Sequence, residues 1–146
     1  ERYDYGNGVG YHDTTPGNSG EAFRPFDDVD IQAGEDDYHV GDLAAGEWLR
    51  YTVEVTHDGE SDRFDFEVVV ASPNGQGSFR VVTNPSDGLR PCDTYETDLS
   101  GLVTDLLRTD DNFAFAVKDV DTAGGLPAGP AEIWLCIVEP GFNIDS

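Results

Sequence analysis

Apolar and polar side chains alternate with period two through much of this chain. In the stretch 38–55, Leu49, Tyr51, Val53 and Val55 point one way, and Trp48, Arg50, Thr52 and Glu54 the other. That is the pattern of a half-buried β-strand. The alternation returns over 63–71, with Phe64, Phe66, Val68 and Val70 inward and Asp65 and Glu67 outward, and over 78–83, with Phe79 and Val81 inward and Arg80 outward. A further strand is expected over 113–120, and short ones over 29–32 and 142–145. The run 132–138 is apolar on both faces, which predicts a central strand. Turn formers separate these runs at 57–60, 72–77, 126–129 and 140–141.

Outside those runs the pattern weakens. Residues 1–30 read mostly as loop, and Tyr11-His-Asp-Thr-Thr-Pro-Gly-Asn-Ser-Gly20 is dense in turn formers. Such a loop stays ordered only if something ties it down; hydrogen bonds from Asp13, Thr14 and Asn18 are the expected ties. Over 84–111, Leu102, Val103, Leu106 and Leu107 have helical spacing, which predicts a short helix inside a long insertion. Short strands joined by turns predict one all-β domain over 1–146, an antiparallel β-sandwich of the jelly-roll type.

Charge narrows the partners. Thirty acids face eight bases, a formal net charge of −22. Nucleic acid and anionic membrane are poor partners for such a surface. Most of the acids serve solubility, while some carboxylates are suited to a cation such as calcium, which takes several oxygen ligands. The chain opens at Glu1 without methionine and stops at Ser146 inside a strand pattern, so it reads as a processed or excised piece. Cys92 and Cys136 form one disulfide or stay free; two cysteines set no pattern. Acid pairs are too plentiful to mark a glycosidase dyad, and no nucleophile elbow, zinc signature or phosphate loop occurs, so no enzyme is expected.

Trp48 and Arg50 stand on the outward parity of their strand, where an aromatic suggests a binding surface or merely closes the end of a sandwich. His12, His39 and His57 lack the spacing of a metal trio and are expected to be solvated or hydrogen-bonded.

A set of short motifs now stands in order: Tyr11 to Gly20, Phe23-Arg24, Val29-Asp-Ile31, Val40-Gly41, Ala45-Gly-Glu-Trp-Leu49 with Tyr51-Thr-Val53, Val70-Ala-Ser72, Leu126-Pro-Ala-Gly129 and Gly141-Phe-Asn-Ile-Asp145. Together they resemble the family 6 carbohydrate-binding modules, over nearly the whole chain apart from 84–111. The resemblance implies a jelly roll, a structural calcium, no catalysis, and a secreted, extracellular setting beside a glycoside hydrolase or other neighbouring domains, with a polysaccharide or other glycan as partner. It also implies a sugar site among the loops at one edge of the sandwich. There Gln32 supplies an amide, Phe113 a stacking ring and Asn143 a second amide. The position after Val40-Gly41, aromatic in the family, is Asp42, and Tyr38 is the candidate to compensate. Trp48 matches a second platform on a sheet face. Its acidic partner is replaced by Val82, leaving Arg50 and Arg80 on the same parity. Calcium would be held by Glu1, the backbone carbonyl near Arg24, and Asp145.

The residues alone also allow plainer roles. Phe113 shares parity with Phe115 and Val117 and fits a core; Tyr38 fits loop packing; Asn143 fits a turn cap. The competing function is a structural or assembly module of an extracellular filament or matrix protein, which keeps the fold without the sugar site. The apolar segment 99–107 and the strand around Trp134 suit that reading.

Overall fold

A computed structural model describes residues 3–34, 38–56, 65–72, 74–83, 92, 102–103, 116–121 and 128–145. Its strands, in chain order, are β1 (Tyr11–His12), β2 (Ile31–Ala33), β3 (Tyr38–Val40), β4 (Trp48–Val55), β5 (Asp65–Ala71), β6 (Ser78–Thr83), β7 (Leu102–Val103), β8 (Ala116–Asp121), β9 (Gly129–Glu139) and β10 (Asn143–Asp145). They form two antiparallel sheets, ordered β1-β4-β9-β6-β7 and β2-β3-β10-β5-β8.

The two sheets bury their facing sides against each other. Leu49, Phe79, Val81, Leu135 and Ile137 from the first meet Ile31, Val40, Val70 and Ile144 from the second in one core. Period-two alternation puts these residues on one side of each strand. The strand apolar on both faces is indeed central: β9 lies between β4 and β6, with Leu135 and Ile137 in the main core and Trp134 and Cys136 in a second cluster on the outer face.

Two elements depart from the sequence reading. Leu102–Val103 is not helical; it pairs with Phe79 and Arg80 at the edge of β6. An edge strand presents unpaired backbone groups, and satisfying them outweighs a helical spacing of leucines. Tyr11–His12 is a strand rather than loop, because it pairs with Leu49 and Trp48 at the opposite edge. The expected ties hold the following loop. The Asp13 carboxylate accepts from the Thr15 amide and hydroxyl at 2.8 Å each. Asn18 accepts from the amides of Gly20 and Ile31 at 3.0 Å and donates to the Phe23 carbonyl at 3.2 Å. Thr14 donates from its amide and hydroxyl to the buried Glu47 carboxylate at 2.9 and 2.7 Å.

The cysteines are paired. Cys92 and Cys136 form a disulfide with Cα atoms 5.3 Å apart, closing a sequence separation of 44.

Candidate functional site

The hairpin β2–β3 builds the most concentrated polar array among the predicted sugar residues. Gln32 is directly opposite His39, one step along from Ile31 opposite Val40. Ile31 and Val40 point into the core, so Gln32 and His39 point outward on the same face. The Gln32 amide nitrogen donates to Asp42 Oδ2 at 2.9 Å, and its oxygen lies 3.2 Å from His39 Nε2. A carboxylate only accepts, so the amide nitrogen must face Asp42; its oxygen then accepts a hydrogen bond from the His39 Nε2–H. Ser19 adds a hydroxyl donor to the same Asp42 oxygen at 3.0 Å.

Two backbone features make this array possible. Gly41 carries no side chain where Gln32 crosses it; a Cβ there would stand 2.9 Å from the Gln32 amide carbon. Asp42 has φ +49°, in the left-handed region that Asp tolerates better than most residues. This ends the β3 direction and presents the exposed carboxylate beside Gln32.

Asn143 joins the same end of the sheet. Ile144 is opposite both Val40 and Val70 in the core, so the half-buried Asn143 has the outward parity that Gln32 and His39 share. Phe113 lies outside the described residues. Tyr38 does not converge on this array. It pairs with Ala33 at the far end of the hairpin, on the parity opposite to His39, and its half-exposed ring packs on Phe23 with centroids 5.8 Å apart. Chain order had made Tyr38 a substitute for the aromatic missing at Asp42; the left-handed turn at Asp42 and the strand parity separate them. His39 and Ser19 are the members that the sequence reading did not assign to the site. The hairpin register is the signal that finds His39, and Ser19 reaches Asp42 only through the fold.

The Trp48 platform requires correction. Trp48 is on the outward parity, as expected, yet it is only 2% exposed. It lies opposite Cys136, and its ring stands 4.5 Å from that of Trp134, with Val82 and Cys92 completing the cluster. The disulfide carries Cys92 onto this outer face, so no sugar ring can reach the indole. Arg50 is engaged by Asp4 at 2.7 Å and lies 5.7 Å over the Trp134 ring.

Of the expected calcium set, Glu1 lies outside the described residues and Asp145 is described through its backbone pairing with His39. The Arg24 carbonyl, a hard oxygen of the type calcium takes, accepts a single described backbone donor, Asp27 at 3.1 Å. The Arg24 side chain is itself a buried cation, held by the Tyr3 carbonyl at 3.0 Å, by Asp27 at 2.6 Å and between the rings of Tyr3 and Tyr5 at 3.9 Å each. Among the described residues no group of three His, Cys, Asp or Glu side chains gathers around a metal position.

The acids of the tied loop divide by environment. The Gly17 backbone N–H, joined by the Asn7 amide, holds Asp28 below the usual carboxylate range. Burial pushes Asp13 up despite its two bonds from Thr15. Burial likewise raises the Tyr11 phenol.

No protein-family model matches the sequence, and no curated protein matches it. Solved structures do share its fold. The C-terminal family 6 module of a marine laminarinase from Zobellia galactanivorans superposes with TM-score 0.54 at 18% identity, over 82% of this chain and 85% of that one. A carbohydrate-binding module of a Cellvibrio mixtus lichenase, in complex with cellotriose, gives 0.52 at 20% identity, over 80% and 82%. A family 6 module from Clostridium stercorarium, in complex with cellobiose, gives 0.50 at 17% identity, over 80% and 77%. The chain therefore has the β-sandwich fold of the family 6 carbohydrate-binding modules.

Proposed function

We propose that this chain is a non-catalytic carbohydrate-binding module of family 6 that holds a polysaccharide at the loop edge built by Gln32, Asp42 and Asn143. The observation that carries this reading is the solvent-facing array Ser19–Asp42–Gln32–His39, in a fold shared with modules solved with cellotriose and cellobiose. A pyranose has a polar rim of hydroxyls, and an ordered amide beside a carboxylate offers that rim both donors and acceptors. Phe113 supplies the apolar plane for the sugar's C–H face in this reading. Such sites are wet and individually weak, and repetition along a polymer strengthens them.

Calcium, held by Glu1, the Arg24 carbonyl and Asp145, stabilises the fold in the same reading. The module acts outside the cell, where its disulfide persists, attached to a glycoside hydrolase or to other domains.

Affinity electrophoresis against soluble polysaccharides, with calcium present, tests the function. Retardation by a polymer, lost in both Gln32→Ala and Phe113→Ala, is the expected result. Retardation that survives both substitutions would remove the site from this edge, and none by any polymer would end the glycan reading.

A second reading, an assembly module of an extracellular filament or matrix, is favoured by Phe26, Tyr5 and Val9, which are 100%, 75% and 60% exposed on the N-terminal loops. Concentration-dependent self-association by sedimentation, abolished by Phe26→Ser, would support it over glycan binding.

A further inference from the structure

We infer that the loop-edge site selects an amine-bearing sugar, with the ammonium received by the open oxygen of Asp42. This rests on the glycan reading above and names the sugar class. Three observations carry it.

The first is that the Asp42 carboxylate is oriented. Gln32 Nε2 and Ser19 Oγ both hold Oδ2, at 2.9 and 3.0 Å. Gln32 is itself fixed from the other side by His39. A group held in place before the ligand arrives loses little freedom on binding.

The second is that no described residue compensates its charge. Both donors to Oδ2 are neutral, and Oδ1 has no donor among the described residues. The described guanidinium ion pairs are made elsewhere, Arg24 with Asp27 and Arg50 with Asp4 and Glu132.

The third is the sign of the surroundings. The chain carries a net charge of −22, so an anion approaching this edge meets repulsion from the site and from the molecule.

Sugar substituents then fall into a rank. A uronate or sulfate is opposed by both charges. A hydroxyl gains a hydrogen bond assisted by the charge of the carboxylate alone. An ammonium brings its own charge as well and adds an exposed ion pair. The partner with the matching chemistry is therefore a glycan with free amines of the glucosamine type, rather than a uronic acid polymer.

Calorimetric titration of the whole chain with the trimers of glucosamine, glucose (cellotriose) and galacturonic acid, at mildly acidic pH and moderate salt, tests this. The expected order is glucosamine, then glucose, then galacturonate. The first step is about fivefold, the ratio set by one exposed ion pair added to a hydrogen bond that both sugars make. Asp42→Asn keeps an oxygen for Gln32 and suits the left-handed backbone, so it folds; it should remove most of the preference for glucosamine. Glu54→Gln deletes an equal charge from an exposed position on β4 and should leave the preference intact. Raising the pH until the amine is neutral should erase the preference in the unmodified chain.

Cellotriose binding as tight as that of the glucosamine trimer would overturn this inference and leave the glycan reading standing. A preference that survives Asp42→Asn, or falls equally in Glu54→Gln, would show diffuse attraction to an acidic surface and overturn it as well. Binding of none of the three would overturn this inference, and the polysaccharide panel above would then decide the glycan reading separately.

Discussion

Glu47 should be the polar residue on which the first loop depends most. The residue is buried, and its carboxylate accepts three hydrogen bonds: from the Thr14 amide at 2.9 Å, the Thr14 hydroxyl at 2.7 Å and the Ala44 amide at 2.7 Å. It thereby joins the loop after β1 to the turn before β4. A hydrogen bond to a charged group is worth about 1.5–3 kcal/mol, and an abandoned buried donor costs a similar amount. Three such bonds share one carboxylate and are not additive, so Glu47→Ala should cost about 3–5 kcal/mol. Glu47→Gln keeps one accepting oxygen but turns an N–H toward a donor, and should cost about 2 kcal/mol. The backbone bond from Ile137 to the Glu47 carbonyl, 2.8 Å, survives both changes. Urea unfolding followed by tryptophan fluorescence measures the effect, since Trp48 is the next residue and is buried. With a slope of about 2 kcal/mol per molar urea, the alanine variant should shift the midpoint by about 2 M and the glutamine variant by about 1 M. A double-mutant cycle with Thr14→Val should leave a coupling of about 1 kcal/mol between the two side chains. Midpoint shifts under 0.5 M for the alanine variant would refute the reasoning and show that water replaces the carboxylate at no great cost.

Removing both cysteines should lower stability by about 4 kcal/mol on the chain-entropy account of a 44-residue closure, and should open Trp48 to iodide quenching; unchanged quenching would show that Cys92 is not what covers the indole. Gly41→Ala should push the Gln32 amide away from Asp42 and weaken polysaccharide retardation several-fold with little loss of stability, read by affinity electrophoresis beside a thermal melt. Chelation with EDTA should lower the melting temperature reversibly if calcium is held at Glu1, Arg24 and Asp145, and re-addition of calcium should restore it. A carboxyl titration by NMR should place Asp13 above the ordinary aspartate value of about 3.9 and Asp28 below it. The signs follow from linkage. Stabilisation by Asp28 is complete above its unfolded value and lost as pH falls through its depressed folded value. Ionised Asp13 opposes folding, and that penalty lifts as pH falls through its raised folded value. The reverse order of titration would contradict the hydrogen-bond and burial assignments.

Side-chain parity is local information, and it was legible from the chain. The alternation of Leu49, Phe79, Val81 and Val70 put each in the core, the two-sided run at 132–138 marked the central β9, and Asp13, Thr14 and Asn18 tie the loop that their side chains were expected to tie. Resemblance alone makes Gln32 and Asn143 candidates for the site and marks Asp42 as the place where the family's aromatic is missing. What parity could not supply is what lies over an outward face. Trp48 points away from the core as its position requires, and is covered because Cys92, distant in sequence, is bonded to Cys136 beside it. Leu102 and Val103 carry helical spacing and form a strand, because β6 offers an unpaired edge that no local pattern reveals. Tyr38 and Asp42 are four positions apart and share a parity on paper, yet a left-handed residue at Asp42 sends the chain elsewhere. Sequence determined which side of each strand is apolar, since that follows from the covalent geometry of consecutive residues. Tertiary structure decided which outward faces remain open to a ligand, since that depends on contacts between segments far apart in the chain.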